Sequence, residues 1–175
     1  MANWCWNCVS FTGEEQNLKS FARMMNKTIK QEEKTGLGQI LFGLEGELDG
    51  YMFQITWTND GDSITFESRW SPIPQEMVRI AQLFNLEFTY EYEESGNNLY
   101  GQYTYENGHL YDQQLSDDDV DSCRCKDEDD DPDDPNEQNG FDYEKCWDLV
   151  ANAEMQTIDL HSALKQPENE ENLCY

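Results

Sequence analysis

The stretch that decides the fold is Ser63–Asn107, SITFESRWSPIPQEMVRIAQLFNLEFTYEYEESGNNLYGQYTYEN. At its start Ile64, Phe66, Ser68 and Trp70 alternate, the period of a strand with one buried face. Pro72 and Pro74 end that ladder, because proline has no N–H to donate. Pro74 also suits the first turn of a helix. Met77, Ile80, Ala81 and Phe84 then recur at helical spacing. After them Leu86, Phe88, Tyr90 and Tyr92 alternate with Glu87, Thr89, Glu91 and Glu93, a second strand. Ser95-Gly96-Asn97-Asn98 turns the chain, and residues 99–105 return as a third strand.

Working outward, residues 4–12, WCWNCVSFT, read as a strand with Cys5, Asn7, Val9 and Phe11 on one face. Trp4, Trp6, Cys8 and Ser10 take the other. Thr12 is placed to cap a helix whose first turn carries Glu14 and Glu15. Its apolar stripe is Leu18, Phe21, Ala22, Met25 and Ile29, and Gly36 and Gly38 stop it near Lys34. The glycine-interrupted residues 39–50 predict no definite element. Tyr51, Phe53, Ile55 and Trp57 alternate as a half-buried strand, followed by a turn at Asn59–Asp62. Downstream, Asn107-Gly108 predicts a hairpin turn into a short strand at His109–Asp112.

The order is β-α-β-β-α-β with further β structure. It is that of the split βαβ, ferredoxin-like arrangement. The fold class is therefore α+β: an antiparallel sheet with helices on one face, an additional hairpin and a C-terminal helix. Residues 1–115 make the domain. Residues 116–140, SDDDVDSCRCKDEDDDPDDPNEQNG, carry almost no apolar side chain and predict a solvated, disordered acidic linker. Residues 141–166 predict an amphipathic helix with a stripe of Tyr143, Cys146, Trp147, Val150 and Ala153, which needs a partner either on this domain or on another protein. Residues 167–175 form a polar tail.

The 175 residues suffice for a core without metal or disulfide staples. Charge is the outlier: 37 acidic residues against 11 basic ones, a net charge of -26. The imbalance is also local. Residues 84–144 hold 20 acids against Arg124 and Lys126, while Lys19, Arg23, Lys27, Lys30 and Lys34 cluster early. Such a field repels nucleic acid and anionic membrane and attracts basic protein surfaces. Direct nucleic-acid binding, which depends on Lys and Arg neutralising phosphates, is disfavoured. Met1-Ala2-Asn3-Trp4 has neither the basic nor the apolar region of a signal peptide, and no run is long enough to span a membrane. The expected compartment is the cytoplasm of the host cell.

The opening Asn3-Trp4-Cys5 with Asn7, and the strand ending Trp70-Ser71-Pro72, resemble the YubB ferredoxin-like family of bacterial phages, plasmids and integrated elements. Ile73-Pro74 stands where that family has its second proline. The aromatic strand Leu86–Glu94, the turn at Gly96 and the hairpin Gly101–Gly108 fit the same pattern, so the resemblance covers about residues 1–112. It implies a ferredoxin-like fold and a mobile-element origin. It implies no activity and no catalytic residues, and it makes Asn3, Trp4 and Trp70 structural.

Motifs for chemistry are weak. Cys5 and Cys8 point to opposite faces of a strand, and Cys123-x-Cys125 is one residue short of a zinc knuckle. Free thiols fit that spacing better than a four-thiolate site. Residues 127–134 fit no EF-hand register, since Asp134 or Asn139 falls where glycine is needed. His109 and His161 have no nucleophile nearby in sequence, and Gly36-x-Gly38 lacks the rest of a phosphate loop. No catalytic residue, metal or cofactor is expected, and the protein is read as non-enzymatic.

The expected function is inhibition of a host nucleic-acid-handling or defence protein, of the anti-CRISPR or anti-restriction kind, by an acidic surface that mimics DNA. The residues expected to bind the partner's basic surface are Glu87, Glu91, Glu93, Glu94, Glu106, Asp112, Asp117, Asp118, Asp119 and Trp147. The alternative is a small adaptor that docks through its C-terminal helix, with the acidity serving solubility.

Overall fold

In the computed structural model the described residues are 3–41, 50–59, 61, 63–124 and 141–160. The elements run β1 Trp4–Thr12, α1 Glu15–Thr35, β2 Phe53–Trp57, β3 Ser63–Arg69, α2 Pro74–Phe84, β4 Glu87–Glu94, β5 Leu99–Glu106, β6 His109–Gln114, α3 Asp117–Ser122, α4 Tyr143–Asn152 and β7 Gln156–Ile158. A 3-10 turn at Ser95–Asn97 joins β4 to β5.

One antiparallel sheet takes the order β2-β3-β1-β4-β5-β6-β7. Its first four members are the ferredoxin-like set, with β1 between β3 and β4. The rest is a meander grown from β4. The hairpin between β5 and β6 turns through Asn107 (φ 51°) and Gly108 (φ 79°). Both lie in the left-handed region that a two-residue turn demands.

The main core lies between α1, α2 and the sheet. Cys5, Val9 and Phe11 of β1, Ile64 and Phe66 of β3, and Phe88, Tyr90 and Tyr92 of β4 face it. Phe21 and Met25 of α1 and Met77, Ile80 and Ala81 of α2 close over them. Helix α1 begins after Glu14 rather than at Thr12, and it ends where Gly36 adopts φ 65°. That left-handed residue lets its N–H reach Glu32 O.

A polar cluster is sealed inside this core. Asn7 Nδ2 donates to Cys5 O (2.7 Å), Phe66 O (3.2 Å) and Ser68 Oγ (3.0 Å). Ser68 Oγ donates to Ser71 O at 2.7 Å. Trp70 N donates to Asn3 O, and Trp70 sits at φ 68°. The Trp-Ser-Pro corner is thus held by Asn3, Asn7 and Ser68, which gives these residues a structural role. Among the described residues no buried side-chain nitrogen or oxygen lacks a partner.

Three expectations change. Strand β2 does not alternate evenly: Gln54 (φ 53°) makes a bulge, so Phe53 faces away from the helices while Ile55 is buried beneath them. Glu32 of α1 holds the bulge, accepting Gln54 N at 2.5 Å and Ile55 N at 2.9 Å. The expected linker at 116–140 loses its beginning to α3, which starts at a capping box formed by Ser116 and Asp119. Most of the acidic run, including the residues weighed for calcium, lies outside the described residues. The C-terminal helix, expected over 141–166, stops at Asn152, and Gln156–Ile158 pairs with β6 instead. There Ala153 has extended backbone (ψ 153°), and the sheet edge offers hydrogen bonds that further helix would forfeit.

Helices α3 and α4 also occupy the face of the sheet opposite α1 and α2. Val120, Cys123, Cys146 and Val150 pack with Tyr100 and Leu115 into a second core. Gln113 Nε2 donates to Val150 O and Ala153 O at 3.5 and 3.2 Å, pinning the end of α4. The helices are therefore not confined to one face, because the stripe of α4 finds its partner on β5 and β6.

Candidate functional site

The remainder of that second face is open. Strand alternation places Trp4, Trp6, Cys8 and Ser10 of β1 there, beside Thr65, Glu67 and Arg69 of β3 and Glu87, Thr89, Glu91 and Glu93 of β4. Trp6 stands directly between Glu67 and Glu93 in the register. Cys8 stands between Thr65 and Glu91. Glu93 faces Tyr100 on its other side.

The acids expected at the interaction surface divide. Glu87, Glu91 and Glu93 line β4 on the open face, and Glu106 ends β5 on the same face opposite His109. Glu87 and Glu106 are exposed, whereas Glu91 and Glu93 are half-buried. Asp117 and Asp118 are exposed in the first turn of α3, and Asp119 is engaged in its capping box. Two acids lie elsewhere. Glu94 is 3% exposed and closes the 3-10 turn, accepting Gly96 N at 2.8 Å and Asn97 Nδ2 at 2.5 Å. Asp112 is on the other side of the sheet, where Tyr92 Oη donates to Oδ1 at 3.3 Å. Being adjacent to Glu93 in sequence turns Glu94 inward, and pairing with Tyr103 does the same for Asp112.

The half-buried acids differ electrostatically from surface ones. Burial raises the carboxyl pKa of Glu91 above its ordinary value. Burial also raises that of Glu93, while the nearby hydroxyls of Tyr100 and Tyr143 oppose part of the rise. The Glu93 charge in turn pushes the Tyr143 phenol up.

Trp147, expected to dock on a partner, is half-buried at the edge of α4. With Trp4, Trp6, Glu93, Ser95 and Tyr143 it lines an open cavity of about 500 Å³. Trp4 and Trp6 are 44% and 40% exposed, although both are large aromatics. Arg69 stacks its guanidinium over Trp4 (5.9 Å) and Phe53 (5.2 Å), and Trp4 meets Phe53 edge-on at 5.1 Å.

Trp4, Trp6 and Glu67 were not among the expected site residues. The available signal was two tryptophans on the strand face opposite the buried Cys5, Asn7 and Val9. Among the described residues Cys5, Cys8 and Cys123 do not converge: Cys5 is buried under the helices, Cys8 lies on the open face, and Cys123 lies in the second core against Cys146. Cys125 is outside the described residues. Burial pushes the Cys5 and Cys146 thiols up to about 12.

No curated protein and no solved structure matches this chain. One family matches, described as the ferredoxin-like domain in Api92-like protein, over residues 50–148. The matched residues run from just before β2 into α4, through the acidic run. They cover more than half of the chain, and the ferredoxin-like strand order agrees with the match. The chain belongs to the family of ferredoxin-like domains of Api92-like proteins.

Proposed function

We propose that the protein is a non-enzymatic binding module whose acidic open face engages the basic surface of a host nucleic-acid-handling or defence protein. The observation that carries this reading is the row Glu87, Glu91 and Glu93 on one face of β4, with Glu67 two strands away. Glu87 lies about twice as far from Glu91, beyond Thr89, as Glu91 does from Glu93, and alternate strand positions are about 6.6–6.8 Å apart. That is about two 3.4 Å rises of one DNA strand, so a carboxylate row of this kind presents charge at a spacing a DNA-binding groove accepts. The net charge of -26 adds long-range attraction to a basic surface. The likeness of residues 1–112 to the YubB family supports a phage, plasmid or integrated-element origin, for which an anti-CRISPR or anti-restriction inhibitor in the bacterial cytoplasm is useful.

The adaptor reading has less support. Helix α4 spends Cys146 and Val150 on its own domain, leaving only Tyr143 and the edge of Trp147 for a partner.

The test is capture from host lysate at low and high salt, with duplex DNA as competitor. The expected partners are DNA- or RNA-binding proteins displaced by DNA. A Glu67→Gln, Glu87→Gln, Glu91→Gln variant should lose them. Partners that bind no nucleic acid, or that DNA fails to displace, would sink the mimicry.

A further inference from the structure

We propose that Trp4, Trp6, Tyr143 and Trp147 form a cation cage over Glu93, and that its occupant is the ammonium group of a lysine side chain from a protein partner. The proposal deepens the interaction-face reading and rests on it for the nature of the partner. Three features point to a cation. Three indoles and a phenol wall one cavity, and indole faces attract cations more strongly than the other aromatic rings do. A carboxylate sits among them with no cation of its own: among the described residues the ion pairs are Lys19–Glu15 and Arg124–Asp121, neither at this site. The same aromatic row already stacks a cation, since Arg69 lies over Trp4 and Phe53.

The choice of ammonium over guanidinium follows from what surrounds Glu93. A guanidinium fork needs both carboxylate oxygens in one plane. The hydroxyls of Tyr100 and Tyr143 lie near this carboxylate and crowd it, leaving little room for a planar fork. A compact ammonium needs one remaining lone pair and the ring faces. The cavity of about 500 Å³ is open to one side, which suits a side chain entering from a partner.

The experiment follows the tryptophan indole N–H resonances while the full chain is titrated with short blocked peptides that differ at one central residue. The lysine peptide is expected to shift the indoles of Trp6 and Trp147 along a saturating curve. The norleucine peptide, which keeps the alkyl chain and drops the charge, is expected to bind about tenfold more weakly or worse. The arginine peptide should also bind more weakly than the lysine one. Glu93→Gln should lose about tenfold for lysine, whereas Glu33→Gln, exposed on α1 at the other side of the sheet, should not change it. Equal binding of lysine and norleucine, tighter binding of arginine, or no indole shift up to about 10 mM peptide would each overturn the proposal. The peptide arms on the unaltered protein need no variant to fold. Lysate capture with DNA competition is read separately, so the mimicry and the cage can fail independently.

Discussion

Tyr90 and Asn7, 83 positions apart in the chain, meet inside the main core, where the Tyr90 hydroxyl donates to Asn7 Oδ1 at 2.5 Å. The same hydroxyl accepts the N–H of Ile73 at 2.9 Å. One phenol therefore ties β1, β4 and the entry to α2 together. Tyr90→Phe keeps the ring, strands the Ile73 N–H and leaves Asn7 Oδ1 only the long contact from Cys5 Sγ at 3.7 Å. It should cost about 1–3 kcal/mol, the penalty for leaving buried polar groups unpaired, read as a lower urea midpoint with an unchanged slope. A loss under about 0.5 kcal/mol would mean that water replaces the hydroxyl.

Glu32 makes a second prediction. Its two oxygens hold successive amides of the β2 bulge, which leaves the alternation of that strand dependent on one carboxylate from α1. Glu32→Ala should destabilise the protein by about 1–2 kcal/mol, discounted for partial exposure, and speed amide exchange at Ile55. Unchanged exchange there would show that the bulge stands without the carboxylate.

How far the chain can be read in advance follows from the same contacts. The ferredoxin-like order was legible because Ile64–Ser68 and Leu86–Tyr92 keep strict alternation and Pro74 starts a helix with a clean apolar stripe. Alternation failed at Tyr51–Trp57, because a bulge inserts one residue and reverses the face of everything before it, and the residue that stabilises it lies 22 positions away. Glu94 and Asp112 were misplaced because their own charge suggested an outward position, while strand parity and a local turn turned them inward. The aromatic cavity was illegible for a related reason. Its tryptophans come from the two ends of the chain, and only the docking of α4 against β5 brings them together.

The pH dependence has a definite sign. Burial raises the carboxyl pKa values of Glu91, Glu93 and Asp112 in the folded state. Their contribution is fully present below the ordinary values, when folded and unfolded chains both hold the proton. It is lost as pH rises through the folded values, because only the folded state must then carry a buried charge. The thermal midpoint should therefore be higher near about pH 5 than near about pH 8, with relief of self-repulsion acting in the same direction. Glu91→Gln should raise the midpoint at the higher pH and flatten the dependence. A midpoint that falls on acidification would contradict this.

The thiols should separate by reactivity. Burial pushes the Cys5 and Cys146 thiols well above the ordinary value and keeps the reactive thiolate scarce at about pH 8. Cys8 is also raised, by burial and then by Glu91, but it lies half-buried on the open face. Iodoacetamide should modify Cys8 ahead of Cys5 and Cys146, as followed by peptide mass mapping, and the order should vanish in denaturant. Early modification of Cys146 would show that α4 lifts from the sheet.

The placement of β1 at the centre of the ferredoxin-like set bears on how the chain reaches its fold. Asn7 is separated by 59 residues from Phe66 and by 83 from Tyr90, the partners on its two sides. Closing such loops comes before the contacts that repay them, which places the protein among slower folders of its size. At ribosomal speeds of about 5–20 residues per second, β1 waits roughly 4–17 seconds for β4 to emerge. Both edges of β1 are unpaired only until β3 emerges, roughly 3–12 seconds after it, and from then on the edge that will take β4 is the one left open.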